Sequence, residues 1–234
     1  NGSVKALTQL AVISQFFYRE RNALDYLSEG LALTTERQVE PMAQWGFFVQ
    51  AGLSVSAMQL YDASLLFQKR ALEIALEMGR PLMVQRSRGE LGFAYAALKM
   101  YAEALAEATK AFEVGSSIPH GRELMANASW QLGDILRESG QCDKAIDAYN
   151  RSIDLYEDLN FELYDYVAHK GRLLCLARTG DTNAIGNELA KVLHLFEEFR
   201  SKITTESQRN SFFAVEQSVY DLAIDYAFQR KRDP

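Results

Sequence analysis

Leu91-Gly92-Phe93-Ala94-Tyr95 and Leu132-Gly133-Asp134-Ile135-Leu136 read as one segment written twice, forty-one positions apart. A third copy, Ala51-Gly52-Leu53-Ser54-Val55, stands forty positions before the first of them. Thirteen residues after each anchor comes a small residue, Ser64, Ala104 or Ala145, that opens a second stretch of helix-forming sequence. Self-similarity at a fixed period of about 20–50 residues marks a repeat array, in which each unit buries its apolar face against its neighbours. One period before Ala51 lies Ala11, with Leu24 thirteen further on in Arg21-Asn22-Ala23-Leu24, a weaker first copy. Toward the other end, 169–177 and 184–196 form a fifth helix pair with Gly180 one period after Gly140, although its anchor is degenerate.

The composition agrees with helices throughout. Gly and Pro number only 14 and 4 in 234 residues, while Ala, Leu, Glu and Gln abound. Pro41 and Pro81 each lie ten residues before an anchor and Pro119 thirteen before Leu132, places where proline marks the start of a helix. Between the two helices of a unit sit turns as short as Lys99-Met100-Tyr101 and Ser139-Gly140-Gln141, which admit only an antiparallel pair. At 48% hydrophobic and 24% charged the chain is ordinary globular material, not a disordered or fibrous one. The net charge of −6 gives no electrostatic footprint for a nucleic acid or an anionic membrane; only Arg230-Lys231-Arg232 is locally basic. The apolar stretch 45–53 is too short for a membrane span. Two cysteines, Cys142 and Cys175, make neither a disulfide framework nor a metal knuckle, so a reduced, cytoplasmic setting is expected. The start at Asn1, without a secretory signal, suggests a piece cut from something longer.

These residues resemble the tetratricopeptide repeat, whose pattern asks for Leu-Gly-x-x-Tyr in the first helix and Ala, a large residue and Ala in the second. The third repeat fits at Leu91, Gly92, Tyr95, Ala104 and Ala111, with Ala108 where an aromatic is usual; the fourth fits at Leu132, Gly133, Ala145 and Tyr149 and departs at Leu136 and Ser152. A period of forty to forty-one is similar to the longer subtype found in kinesin light chains and many bacterial regulators. The resemblance implies an all-α, right-handed α-solenoid of about five helical hairpins, 1–40, 41–80, 81–120, 121–160 and 161–203. A capping helix at 204–230 and a tail at 231–234 would follow.

Thr205-x-x-Gln208 reads as a capping box, followed by apolar residues from Phe212 to Ala227 at helical spacing. Covering the open apolar end of the array explains this stripe. The stretch from Phe199-Arg200 through Arg209-Asn210-Ser211-Phe212-Phe213 to Tyr220 and Ile224-Asp225 is also similar to the junction joining tetratricopeptide arms to CHAT domains, which are bacterial caspase-like peptidases. That implies a peptidase domain beyond Pro234.

No catalytic constellation is expected within the chain. His120-Gly121 with a downstream Cys imitates a caspase-like dyad, yet Cys142 and Cys175 follow helical patterns and neither stands in a Gln-Ala-Cys-x-Gly context. His169 and His194 lack carboxylate or thiol partners at metal-ligand spacing, and no glycine-rich phosphate loop is present, so neither metal nor cofactor is expected.

The surface of interest is the concave one that such arrays build from the first helix of each repeat. Counting Leu132 as position seven, the second, fifth, ninth and twelfth positions are Asn127, Trp130, Asp134 and Arg137. The third repeat places Arg86, Gly89, Phe93 and Ala96 there, the second Gly46, Val49, Leu53 and Ser56, and the fifth continues with Tyr166 and His169. The expected ligand is a protein or an extended peptide, apolar toward Leu53 and Phe93 and polar toward Asp134 and Arg137. Trp130 is either a groove anchor or a ring packed between helices, and Asp134 with Arg137 can simply pair at i, i+3. Arrays that hold chaperone tails resemble one another in a Lys and Asn clamp at the fifth and ninth positions of the first repeat. Gln9 and Ile13 stand there instead.

The expected function is therefore a non-catalytic protein- or peptide-binding scaffold, the sensing arm of a larger bacterial CHAT-type peptidase. The alternatives are the sensor half of a transcriptional regulator and a stand-alone adaptor. Neither nucleic acid nor membrane is an expected partner, and self-association stays open.

Overall fold

The computed structural model describes residues 2–16, 19–36, 39–156, 162–202, 217 and 219–228. Among the described residues these helices run in order: α1 (Gly2–Phe16), α2 (Glu20–Glu36), α3 (Pro41–Ala57), α4 (Tyr61–Met78), α5 (Pro81–Ala97), α6 (Tyr101–Ser117), α7 (Arg122–Glu138), α8 (Cys142–Tyr156), α9 (Glu162–Leu176) and α10 (Thr182–Lys202). Residues 219–228 are helical as well, and no strand occurs among the described residues. The chain divides into two compact units, residues 1–124 with α1 to α6, and residues 125–234 with most of α7, then α8 to α10 and the helical 219–228.

The turns inside the hairpins repeat as faithfully as the anchors. Gln59, Lys99 and Gly140 all take a left-handed conformation, with φ of 61°, 61° and 82°. In each case the next residue donates its N–H back across the helix end: Leu60 to Val55 O at 2.9 Å, Met100 to Tyr95 O at 3.0 Å and Gln141 to Leu136 O at 2.8 Å. This closure satisfies the last carbonyls of the first helix and aims the chain into the second. Only Gly140 advertises it in the sequence. Pro41 and Pro81 open α3 and α5. Pro119 does not open α7, which starts three residues later. It holds Ile118 in an extended conformation, and His120, with φ 62°, turns the chain before the helix begins. Gly121 closes that turn because a Cβ there would collide with the Gly115 carbonyl. The fifth pair starts earlier than 169 and 184; Asp181 caps α10, its Oδ1 accepting the N–H of Asn183 and Ala184 at 3.0 Å each.

Small residues set how closely the helices approach. Ala11, Ala51, Ala71, Ala104, Ala108, Ala111 and Ala145 are wholly buried. In the first unit Gly30 of α2 receives the ring of Phe47 and Gly52 of α3 receives the amide of Gln68. Phe47, Phe48 and Phe67 form its aromatic centre, with Phe47 and Phe48 edge-on at 5.3 Å. In the second unit the buried Tyr149 ring of α8 lies against both Gly133 of α7 and Gly171 of α9. Phe196 joins Tyr166 at 6.2 Å and Tyr220 at 5.2 Å, which seats the helical 219–228 on α9 and α10. Tyr226 adds a hydrogen bond to Thr182 O at 3.1 Å. The capping box Thr205–Gln208, most of the CHAT-like stretch and the tail 231–234 lie outside the described residues.

A Cβ placed on Gly133 would stand 2.6 Å from the Tyr149 ring, and that fully buried ring has no room to retreat. Gly133→Ala is expected to destabilise the chain by about 1–3 kcal/mol through overpacking, despite alanine's higher helix propensity. Urea unfolding followed by circular dichroism checks this; an unchanged midpoint would show that the ring yields.

Candidate functional site

Asn127, Trp130, Asp134 and Arg137 follow one another at three, four and three residues, so α7 carries them on a single face. All four are half-buried. Two tyrosines from α8, seven residues apart, hold their polar ends. The Tyr156 hydroxyl donates to Asn127 Oδ1 at 2.5 Å, and the Trp130 indole N–H donates to the same oxygen at 3.3 Å. The Tyr149 hydroxyl donates to Asp134 Oδ1 at 2.6 Å, while Arg137 donates from Nε to the Tyr149 oxygen and from Nη2 to Asp134, both at 3.2 Å. Burial and the Asp134 charge push the Tyr149 phenol well above its usual range, which keeps it a donor. Burial works against the Arg137 cation, but Asp134 and Tyr149 outweigh it and hold the guanidinium charged. The i, i+3 pair read from the sequence is thus one edge of a triangle closed by Tyr149.

The first unit holds Arg86 and Phe93 on α5, the former exposed and the latter half-buried. The Arg86 guanidinium lies 5.7 Å from the centre of the Trp45 ring on α3, and the Trp45 indole donates to Ser87 Oγ at 2.8 Å. Beside it, burial raises the Glu90 carboxyl against the pull of Arg86. Trp45 is legible in the sequence only as the start of an apolar stretch, because its partners Arg86 and Ser87 lie a full repeat further along the chain.

Tyr166 and His169 are corrected: both belong to the interior. Tyr166 is 1% exposed and packs on Phe196. His169 is buried among charges, its Nδ1 2.8 Å from Glu188 Oε1 and its Nε2 3.4 Å from Asp165 Oδ1. Arg172 donates to both Glu188 oxygens at 3.0 and 2.5 Å and reaches Asn150 Oδ1 of α8 at 2.6 Å. Lys191 stands 4.0 Å from Asp165. Burial disfavours the imidazolium, but hydrogen bonds to Asp165 and Glu188 and both carboxylate charges outweigh it and raise the His169 pKa. Burial likewise opposes the Glu188 charge, and His169 with Arg172 overcome it and lower that pKa.

The residues that imitate a dyad are placed unlike one. His120 occupies the left-handed turn before α7. Cys142 opens α8, with the Arg178 guanidinium 3.8 Å from its sulfur. Cys175 is buried on α9, and burial together with the Cys142 thiol pushes its pKa up to about 12, the opposite of what a nucleophile needs. Among the described residues no group of three or more His, Cys, Asp and Glu side chains is arranged to hold a metal ion. No described helix is long and apolar enough to cross a membrane.

Residues 84–158 match the family model described as tetratricopeptide repeat. That segment, about a third of the chain, carries the tetratricopeptide repeat. No curated protein matches it in sequence. Among solved structures it is similar to a Podosopora anserina kinesin light chain with nearly identical TPR-like repeats, at 12% identity and TM-score 0.65, over 86% of this chain and 97% of that one. It is similar to aspartyl phosphate phosphatase F from Bacillus subtilis, at 16% identity and TM-score 0.75, over 98% and 66%. It is also similar to NprR in complex with its cognate peptide NprX, at 16% identity and TM-score 0.65, over 98% and 65%. The chain spans about two thirds of the length of the last two. At these identities the likeness fixes the fold, an all-α solenoid of tetratricopeptide-like hairpins.

The buried His169 cluster makes the stability of this repeat protein depend on pH. A folded-state pKa above the usual 6.5 or so means that the native chain binds more protons than the unfolded one, so stability declines as pH rises. The contribution is complete below about pH 6.5 and is expected to fade as the pH climbs through the higher folded value. Urea unfolding free energies from about pH 6 to 8, below the range in which the raised Cys175 thiol adds a decline of its own, should fall for the native chain, and His169→Gln should flatten that slope. An unchanged slope in His169→Gln would assign it to another group.

Proposed function

We propose that the chain is a non-catalytic scaffold that binds a peptide or an extended protein segment on the first helices of its repeats. The observation that carries this reading is the α7 face: a half-exposed Trp130 flanked by Asn127, Asp134 and Arg137, whose polar ends two α8 tyrosines already fix in place. Side chains immobilised before the ligand arrives lose little entropy on binding, and a rigid Trp is a common anchor. Arg86 and Phe93 extend the same reading to α5. The fold shared with NprR, which was crystallised with its cognate peptide, supports it. The division into five repeats at 1–40, 41–80, 81–120, 121–160 and 161–203, with a cap at 204–230, belongs to this proposal.

The likeness of 199–225 to the junction ahead of CHAT domains supports a finer reading, the sensing arm of a larger bacterial, cytoplasmic peptidase. Binding would shift the population of arm conformations, as any ligand with unequal affinity for two states does. The sensor half of a transcriptional regulator is the reading kept beside it, favoured by the long repeat period. With a net charge of −6, neither nucleic acid nor membrane is a proposed partner.

Equilibrium capture from a library of end-capped heptapeptides, read by mass spectrometry, tests the peptide reading. The native chain is expected to retain a defined set of sequences, and a folded Trp130→Ala chain to hold some of them about tenfold more weakly. Retention of no peptide overturns the reading, and undiminished retention by Trp130→Ala moves the site off α7.

A further inference from the structure

Within the first unit a cavity of about 870 Å³ opens between α1 and α3. That is the size of pockets that hold drug-sized ligands, about 300–1,000 Å³. Its apolar lining includes Val12 and Ile13 on one side, Met42 and Ala43 on the other, and the buried ring of Phe47. Ile13 and Met42, 51% and 41% exposed, give the cleft an open apolar rim. The polar members are chiefly Lys5, Gln9, Glu40 and Gln50.

Gly46 is the informative residue. It lies in the interior of α3, where glycine weakens a helix. Five helical glycines have an evident reason: Gly30, Gly52, Gly133, Gly171 and Gly186 each receive a side chain from a neighbouring helix. Gly79, Gly140 and Gly180 have positive φ. Gly46 has neither; a Cβ there would meet nothing within 4 Å, and its missing side chain lines the cavity. Glycine at such a point lets another backbone come close.

We infer that this cleft holds an extended peptide segment whose backbone crosses α3 at Gly46 and whose aliphatic or aromatic side chain rests on Phe47, Val12 and Ile13. The carboxamides of Gln9 and Gln50 offer both donors and acceptors, which is what a peptide bond asks of a partner. The described lining carries one basic residue, Lys5, and one acidic residue, Glu40, and so has no net charge, which suits an uncharged stretch of chain rather than a terminal carboxylate. Gln9, Ile13 and Gly46 also stand at positions where the sequence pattern locates the inner face of the repeats. This assignment rests on the peptide-binding reading above and names its subsite and the chemistry of its ligand.

Gly46→Leu places its Cβ in open space, extends an aliphatic side chain into the cleft and replaces a poor helix former with a good one. The capture experiment, with acetylated and amidated heptapeptides of varied sequence, compares the native chain with Gly46→Leu after thermal melts show that both are folded. The native chain should enrich peptides carrying one large apolar residue among small neutral ones. Gly46→Leu, melting no lower than the native chain, should weaken that enrichment about tenfold or more, whatever Trp130→Ala does. Enrichment within about twofold of native in folded Gly46→Leu overturns the cleft assignment; if Trp130→Ala abolishes capture in that case, the peptide reading itself survives. Failure of the native chain to capture any peptide overturns both. A native dimer that Gly46→Leu converts to monomer assigns the cleft to a second copy and also overturns the proposal.

Discussion

A ring without a neighbouring Cβ organises the second unit. Tyr149 lies against Gly133 on one helix and Gly171 on another, and a methyl group at either position would occupy space that the ring already fills. Three helices are thereby registered by a single side chain, and the close-packed interior leaves no slack to choose another register. Glycine's low helix propensity is the local penalty for that contact, and burial of a whole aromatic ring offsets it. The first unit uses the same device with different partners: Gln68 over Gly52 and Phe47 over Gly30. Gln68 offsets part of its polarity by donating to Val49 O at 3.2 Å, while its Oε1 is buried without a hydrogen-bond partner.

What the tyrosine ring does for packing, its hydroxyl does for the surface. Having passed between two glycines, it ends at Asp134 and Arg137, so residues of the proposed binding face are tied to a residue of the deep core. Tyr156 repeats the arrangement at Asn127. A surface built this way is stiff on the timescale of side-chain rotation, because changing a rotamer there means breaking bonds to a buried ring.

Much of this is legible in the sequence, for physical reasons that vary by residue. The anchors Leu91-Gly92 and Leu132-Gly133 and the small residues thirteen places on can be read because close helix approach admits few residue types. The turns can be read where glycine supplies the left-handed conformation, at Gly140 and Gly180. At Gln59 and Lys99 the same geometry is imposed by flanking hydrogen bonds on residues that do not prefer it, and nothing local announces that. Extending a period whose fifth anchor is degenerate puts Tyr166 and His169 on the inner face. The structure instead gives them to the interior, where Phe196 and Glu188, contributed by α10, receive them. The sequence reading leaves His169 without a carboxylate partner; Asp165 lies four residues before it, and Glu188 reaches it only through the fold. Trp45 gives no local signal for the same reason, since Arg86 and Ser87 are distant in the chain.

Arg172 touches α8 through Asn150, α10 through Glu188 and its own helix through His169, all within one buried cluster. Detaching any one of these helices would break hydrogen bonds that hold the Arg172 guanidinium in place. Repeat arrays ordinarily fray from their ends, one hairpin after another. Here the guanidinium fuses three helices into one cooperative block, so the amide protons of α8, α9 and α10 should exchange with solvent through a shared opening rather than in sequence.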